Sequence, residues 1–327
     1  MTKKVQEGAR KRPRLADLGF HRLTRSLLTF QVCSALLVAG LMPAMGLSAE
    51  WRTLLPFLLI DAALLGAWIH LWWVPGHPRE WIIAESVLAM LLTILLTQVL
   101  SPAQYVAAAF DRPLIDPLLA RADSLMGINV AALADWSRVH PRTNFILAVA
   151  YSSFIIQLAL IPLLLGIIFR ERVALWEYVF HFHSCAAITV TMLALFPAAC
   201  AFQYYGFEST MDQSRFIAHF NGVRDGSFTR LRFNDLEGLI SMPSFHMAGA
   251  LMVLWSLRRH VWALAPMVVI NGLLILATVM TGAHYAVDLV ATVLMFSVSV
   301  WVWRRYGESL LDSEARQVQS ATLEAAS

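Results

Sequence analysis

Val261–Met280 reads VWALAPMVVINGLLILATVM, and after TGAH the chain resumes with YAVDLVATVLMFSVSVWVW over Tyr285–Trp303. The first stretch carries no charge and the second carries one, Asp288. Roughly 20 apolar residues cross the hydrocarbon core of a bilayer as a helix, so these segments read as two membrane spans joined by a short connection. Outward from them, Leu27–Leu47, Leu54–Trp73, Trp81–Leu100, Asn144–Phe169 and Trp176–Cys200 have the same character. Phe245–Leu257 is shorter and spans only if its polar start lies in a protein-lined cavity. The expected fold is an all-α polytopic membrane bundle of about eight transmembrane helices. Composition agrees: with 58% hydrophobic residues, 14% charged residues and a mean hydropathy of +0.61, a soluble domain has no core large enough to hide the apolar surface.

Loop charges orient the bundle, because Lys and Arg accumulate on cytoplasmic connections. With the N-terminus inside, sixteen of the 25 basic residues fall on the inner side and nine on the outer. The basic start, Lys3 to Arg25, reads as a cytoplasmic anchor rather than a cleaved signal. Both termini are then cytoplasmic, in a bacterial-type inner (plasma) membrane, and the segment Gln203–Ser244 faces the periplasm. The net charge of +3 belongs to these anchors and gives no reason to expect nucleic acid. Cys33, Cys185 and Cys200 fall in apolar windows without a CxxC pair and read as buried small apolar residues.

The chain divides into a basic tail (1–26), two accessory spans (27–80), a six-helix core (81–305) with long outer loops at 101–143 and 203–244, and a second cytoplasmic tail (306–327). In the first loop, Ile115, Leu118, Leu119, Ala122, Leu125 and Met126 recur at helical spacing, with Asp116, Arg121 and Asp123 on other faces. That pattern predicts a helix lying in the interface. The second loop is dense in charge and leads directly into the short sixth span.

Two segments carry chemistry. In Ser241-Met-Pro-Ser244-Phe-His246, Ser241 or Ser244 can cap a helix with Pro243 in its first turn. The unpaired amides of such a start form an anion site with His246 close by. In Gly282-Ala-His284-Tyr-Ala-Val-Asp288, positions four apart share a helix face. The Asp288 carboxylate then holds one nitrogen of His284 protonated and leaves the other as a nucleophile. Ionisable residues at membrane depth are costly and mark function by default. The other histidines read as structural. His181 and His183 point in different directions on a helix, His77 and His140 precede prolines, and His219 lies in the charged loop.

SMPSFH followed by GAHYAVD resembles the second and third signature motifs of the type 2 phosphatidic acid phosphatase superfamily, the lipid phosphate phosphatases. The resemblance implies a six-helix core and two-step phosphotransfer without a metal or other cofactor. In that scheme His284 attacks phosphorus, Asp288 orients it, His246 protonates the leaving oxygen, and Ser244 with Ser241 and nearby amides holds the phosphate. The chain departs from the phosphatase branch in lacking its Lys-x6-Arg-Pro motif, the last lysine being Lys11, and in having Thr278 and Phe245 where an Arg and a Gly are usual. Inositol phosphorylceramide synthases (inositolphosphotransferases) and sphingomyelin synthases are similar in that respect. Arg224, Arg230 or Arg232 then supplies the missing positive charge, with Arg224 preferred for its Arg-Asp-Gly setting.

The function expected is a lipid phosphotransferase with a phosphohistidine intermediate. It moves an inositol-phosphate-like head group from a phospholipid donor to a lipid or alcohol acceptor. With water as acceptor the same chemistry makes a lipid phosphatase acting on phosphatidic acid or a prenyl (di)phosphate. A transporter or structural membrane protein is the reading without a reaction.

Overall fold

A computed structural model describes residues 20–74, 76, 78–307 and 309–311, with backbone alone at 78 and 79. The N-terminal tail before residue 20, His77 and the tail after Leu311 lie outside the described residues. Two helices, α1 (Arg22–Ala44) and α2 (Leu55–Trp73), precede the long α3 (Pro78–Ala108). Two short ones, α4 (Asp116–Leu125) and α5 (Val130–Arg138), lead to α6 (Pro141–Leu163), which a π turn extends to Ile168, and α7 (Arg172–Leu195). Next come α8 (Ala201–Tyr205), α9 (Ser214–Asp225), α10 (Phe245–Ser256), α11 (Val261–Met280) and α12 (Ala286–Val302). One two-residue parallel pairing joins β1 (Ser48–Ala49) to β2 (Arg230–Leu231).

Seven helices are long and apolar enough to cross a membrane, and α10 is a shorter apolar helix. At 1.5 Å per residue its twelve residues reach only about 18 Å against a core of about 30 Å. The helices therefore coincide with all eight apolar windows. Their outward faces carry large exposed apolar side chains, among them Leu36, Leu59, Ile155, Val269 and Leu294, as a bilayer-facing surface requires. Cys33 belongs to that surface and is exposed, unlike the buried Cys185 and Cys200, because α1 lies at the margin of the bundle.

At the centre runs α7, whose Trp176, Tyr178 and Phe182 are fully buried between α3, α10 and α12. Inside lipid, polar side chains gain most by pairing across helices. His183 accepts from the Gln31 amide of α1 at 2.8 Å, while His181 meets Ser299 of α12 at 2.7 Å, so the two histidines do point to different neighbours. Asn271 donates to Gln157 at 2.8 Å, tying α11 to α6.

The two ends of the bundle differ chemically. At one, Arg172 pairs with Glu85 at 2.7 Å and Arg258 with Glu177 at 2.9 Å. At the other, α4, α5, α8, α9 and the short β pair form a cap over the starts of α10 and α12. Part of that cap differs from expectation. The first eight residues of the connection 101–143 continue α3 to Ala108. In α4 the buried positions are Asp116, Leu119, Ala120 and Asp123, whereas Leu118 and Leu125 are exposed. The acidic face turns inward because both carboxylates find hydrogen-bond donors at the start of α12 and beside it.

Candidate active site

Ser244 is the N-cap of α10 and accepts from the Met247 amide through its side chain. Pro243 stands outside the helix, joined to Met242 by a cis peptide bond, and not in the first turn as the sequence suggested. The Ser244 amide is held by the Thr292 hydroxyl of α12 at 2.9 Å. Among the described residues the amides of Phe245 and His246, the first two of α10, have no hydrogen-bond partner. A capped helix start with unpaired amides presents partial positive charge to whatever lies ahead of it.

His284 lies just before α12, not on its face. Gly282 adopts φ +80° and Tyr285 is an extended N-cap, so the helix begins only at Ala286. The connection is pinned at several points: Phe202 N–H donates to the Gly282 carbonyl at 3.0 Å and His284 N–H to the Thr278 carbonyl at 3.0 Å, and the Ser209 hydroxyl donates to the Thr281 carbonyl at 2.7 Å. A side chain at Gly282 has no room, since a Cβ there meets the Phe207 ring at 2.6 Å.

The nearest acceptor to His284 Nδ1 is the Ser241 carbonyl at 2.7 Å, closer than Asp288 Oδ2 at 3.4 Å. A carbonyl only accepts, so this network assigns the proton to Nδ1 and the lone pair to Nε2. Nε2 faces the Ser244 hydroxyl at 3.1 Å. Asp288 Oδ2 in turn accepts from the Tyr285 amide at 3.0 Å and the Ser241 hydroxyl at 3.3 Å. Ser241, Ser244, His284 and Asp288 are all buried and form one connected network between the starts of α10 and α12.

His246 projects from the first turn of α10. Its ring stacks on Tyr151 of α6 with centroids 4.1 Å apart, and its Nδ1 meets the Tyr151 hydroxyl at 3.2 Å. Phe154 packs on the same imidazole. It comes that close because Gly249 leaves space, a Cβ there meeting the Phe154 ring at 2.0 Å.

A second layer, not legible as a site in the sequence, comes from α4. Asp123 accepts from the Ala286 amide at 3.0 Å and the Val287 amide at 2.8 Å. Asp116 accepts from the Tyr285 hydroxyl at 2.8 Å and the Ala199 amide at 2.9 Å. Burial pushes both carboxyls above the ordinary range, and these hydrogen bonds oppose it. With Asp288 on Tyr285, the opening amides of α12 are satisfied by carboxylates. The start of α10 is open and the start of α12 is not. A sequence signal for α4 exists, since two acids seven apart share one helical face.

The loop arginines lie elsewhere. Arg224 pairs with Asp111 at 2.8 Å and donates to the Arg112 carbonyl at 2.9 Å. Arg232 lies near Glu50 and Asp235. Among the described residues no Lys or Arg contacts Ser241, Ser244, His284 or Asp288. Thr278, where a cation is usual, is buried with its hydroxyl on the Ile275 carbonyl. His219 is held by Tyr105 at 2.7 Å.

The chain matches the PAP2 superfamily over residues 117–302, more than half its length. The chain belongs to the PAP2 superfamily. The match opens within α4 and closes at the end of α12, so this PAP2 protein's two motifs and Asp123 all lie inside it. No curated protein and no solved structure matches the chain. PAP2 membership supports a phosphatase-like, lipid-related function for this membrane bundle.

Proposed function

We propose that this PAP2 protein is a lipid phosphotransferase that works through a phosphohistidine on His284. The observation that carries the reading is the His284 Nε2 lone pair facing Ser244 Oγ at 3.1 Å, beside the open amides of α10. A phosphate displacing that hydroxyl contact is held by the Ser244 side chain and the Phe245 and His246 amides. Nε2 attacks phosphorus, the bond from phosphorus to the lipid oxygen breaks, and His246 gives that oxygen a proton. In the second step His246 takes the proton of an acceptor hydroxyl, the new oxygen bonds phosphorus, and the phosphorus–nitrogen bond breaks. Asp288 and the Ser241 carbonyl keep Nδ1–H in place throughout and offset the charge that develops on the ring.

Transfer of a phospho-alcohol is favoured over hydrolysis of a monoester by the charge of the cradle. A monoester dianion needs cations, and bidentate guanidinium is the usual provider. The cradle here is built of hydroxyls and amides, with Thr278 in the usual arginine position, and suits the single charge of a diester. Sphingomyelin and inositol phosphorylceramide synthases are the branch this resembles, with an inositol-phosphate-like head group as cargo. Arg224, whose Nη1 is buried without a partner, is assigned to the head group rather than the reacting phosphate. The loop charges orient the site toward the outer face of a bacterial-type inner membrane.

Purified protein in detergent with radiolabelled phospholipids and acceptor alcohols tests this. New labelled lipid is expected, together with acid-labile label on the protein that His284→Ala abolishes. Free phosphate from phosphatidic acid or a prenyl diphosphate without transferred product establishes the phosphatase alternative instead. Unchanged turnover in His284→Ala rejects both.

A further inference from the structure

At the end of the bundle opposite His284, a groove of about 620 Å³ lies between α10 and α12. Leu251, Leu254, Phe296, Val300 and Trp301 wall it. Its mouth is Trp255, whose ring lies under two guanidinium groups, Arg258 at 4.6 Å and Arg304 at 5.3 Å. The same two arginines line an adjoining polar pocket of about 260 Å³ together with Arg259, Glu171 and Glu177. The two cavities thus form one amphipathic site, an apolar trough that opens onto cations.

The cations there are not all neutralised. Glu177 is taken by Arg258 at 2.9 Å. Glu171 is taken by His260 at 3.0 Å and lies near Arg259 at 3.9 Å. Among the described residues Arg304 meets no carboxylate, only the face of Trp255. A guanidinium stacked on an indole keeps its edge N–H donors free for an anion.

We propose that this site binds an anionic phospholipid, with an acyl chain in the trough and its phosphate on Arg304. Apolar walls and an uncompensated arginine in one cavity fit a molecule that is apolar over most of its length and negative at one end. Free phosphate lacks the part that fills the trough, and a zwitterionic lipid brings a cation back to the arginines. Ser244 and Asp288 stand at the far ends of the same two helices, about 18 Å away along α10, so the chain wedges the pair of helices that frames the His284 network.

Native mass spectrometry on the full chain released from micelles reads binding without turnover, so its outcome is separate from that of the His284→Ala experiment. Phosphatidylglycerol and phosphatidylcholine of equal chain length are offered in turn. Phosphatidylglycerol is expected to be retained about fivefold more, the equivalent of one interfacial arginine contact. Arg304→Gln is expected to abolish that preference and Arg305→Gln, which lines neither cavity, to keep it. Leu254→Trp fills the trough and is expected to lose the lipid with every arginine intact. Equal retention of both lipids, an equal loss in Arg304→Gln and Arg305→Gln, or displacement by millimolar inorganic phosphate overturns the proposal.

Discussion

Asp123 on α4 accepts the backbone N–H groups of both Ala286 and Val287, so a carboxylate from outside the two motifs caps the helix that carries Asp288. Asp123→Ala leaves both amides buried without a partner. A lost cap costs about 0.5–2 kcal/mol, and the expected result is a lower unfolding temperature with turnover reduced more than KM, because His284 precedes that cap by two residues. Asp123→Asn keeps one acceptor oxygen and is expected to fall between. Thermal unfolding and kinetics on the three proteins check it, and wild-type stability in the alanine variant would refute the capping role.

Gly282 sets the turn from which His284 projects. At φ +80° an L-residue is strained by about 1–3 kcal/mol, and a Cβ also meets Phe207. Gly282→Ala is expected to lower both stability and turnover. Phe207→Leu added to it relieves the steric part alone, so partial recovery of the unfolding temperature in the double variant separates contact from backbone strain.

Tyr151 holds His246 by stacking and by one hydrogen bond. Tyr151→Phe keeps the ring and removes the hydroxyl. Stability is expected to change by less than about 1 kcal/mol, whereas kcat falls about tenfold with KM little altered and the acidic limb of the pH profile moves. An unchanged kcat would leave Tyr151 as packing only.

His219 links α9 to Tyr105 of α3, and Glu237 N–H donates to the same hydroxyl at 2.8 Å. Burial first, then the charge of Arg215, holds the imidazole below its ordinary 6.5, against a weaker opposing effect of Asp235. Between that lowered value and 6.5 the unfolded chain binds a proton that the folded chain does not. Stability therefore falls as pH drops below about 6.5. His219→Asn offers its Oδ1 as an acceptor near the position of Nδ1 without a titrating ring and is expected to flatten the dependence. Unfolding temperatures from pH 7.5 to 5 measure it, and equal slopes in the two proteins would exclude His219 as the source.

The spans were legible because lipid demands long apolar runs, and eight windows became eight helices. The interface helix was legible in place but not in facing. The stripe that suggested an interfacial helix splits: Leu118, Leu125 and Met126 are exposed, whereas Leu119 is buried together with Asp116 and Asp123, whose carboxylates meet amides of the protein. The His284–Asp288 pair was legible as a spacing of four, but its geometry follows from an N-cap at Tyr285 rather than from a shared helical face. Arg224 shows the same limit. Its Arg-Asp-Gly turn is real, with Gly226 at φ +78°, but its partners are Asp111 and the Arg112 carbonyl, just past the end of α3.

By itself, then, the amino-acid order determined that this chain lives in lipid, which segments cross it, and which two histidines and one carboxylate are candidates for chemistry, because hydrophobic length and motif spacing are local properties. Only the tertiary structure decided that α10 begins open while α12 begins sealed by acids, that Nε2 rather than Nδ1 of His284 carries the lone pair, and that Tyr151 backs His246. Each of those depends on which donors and acceptors distant helices bring within hydrogen-bond reach of one another in a place where water cannot substitute.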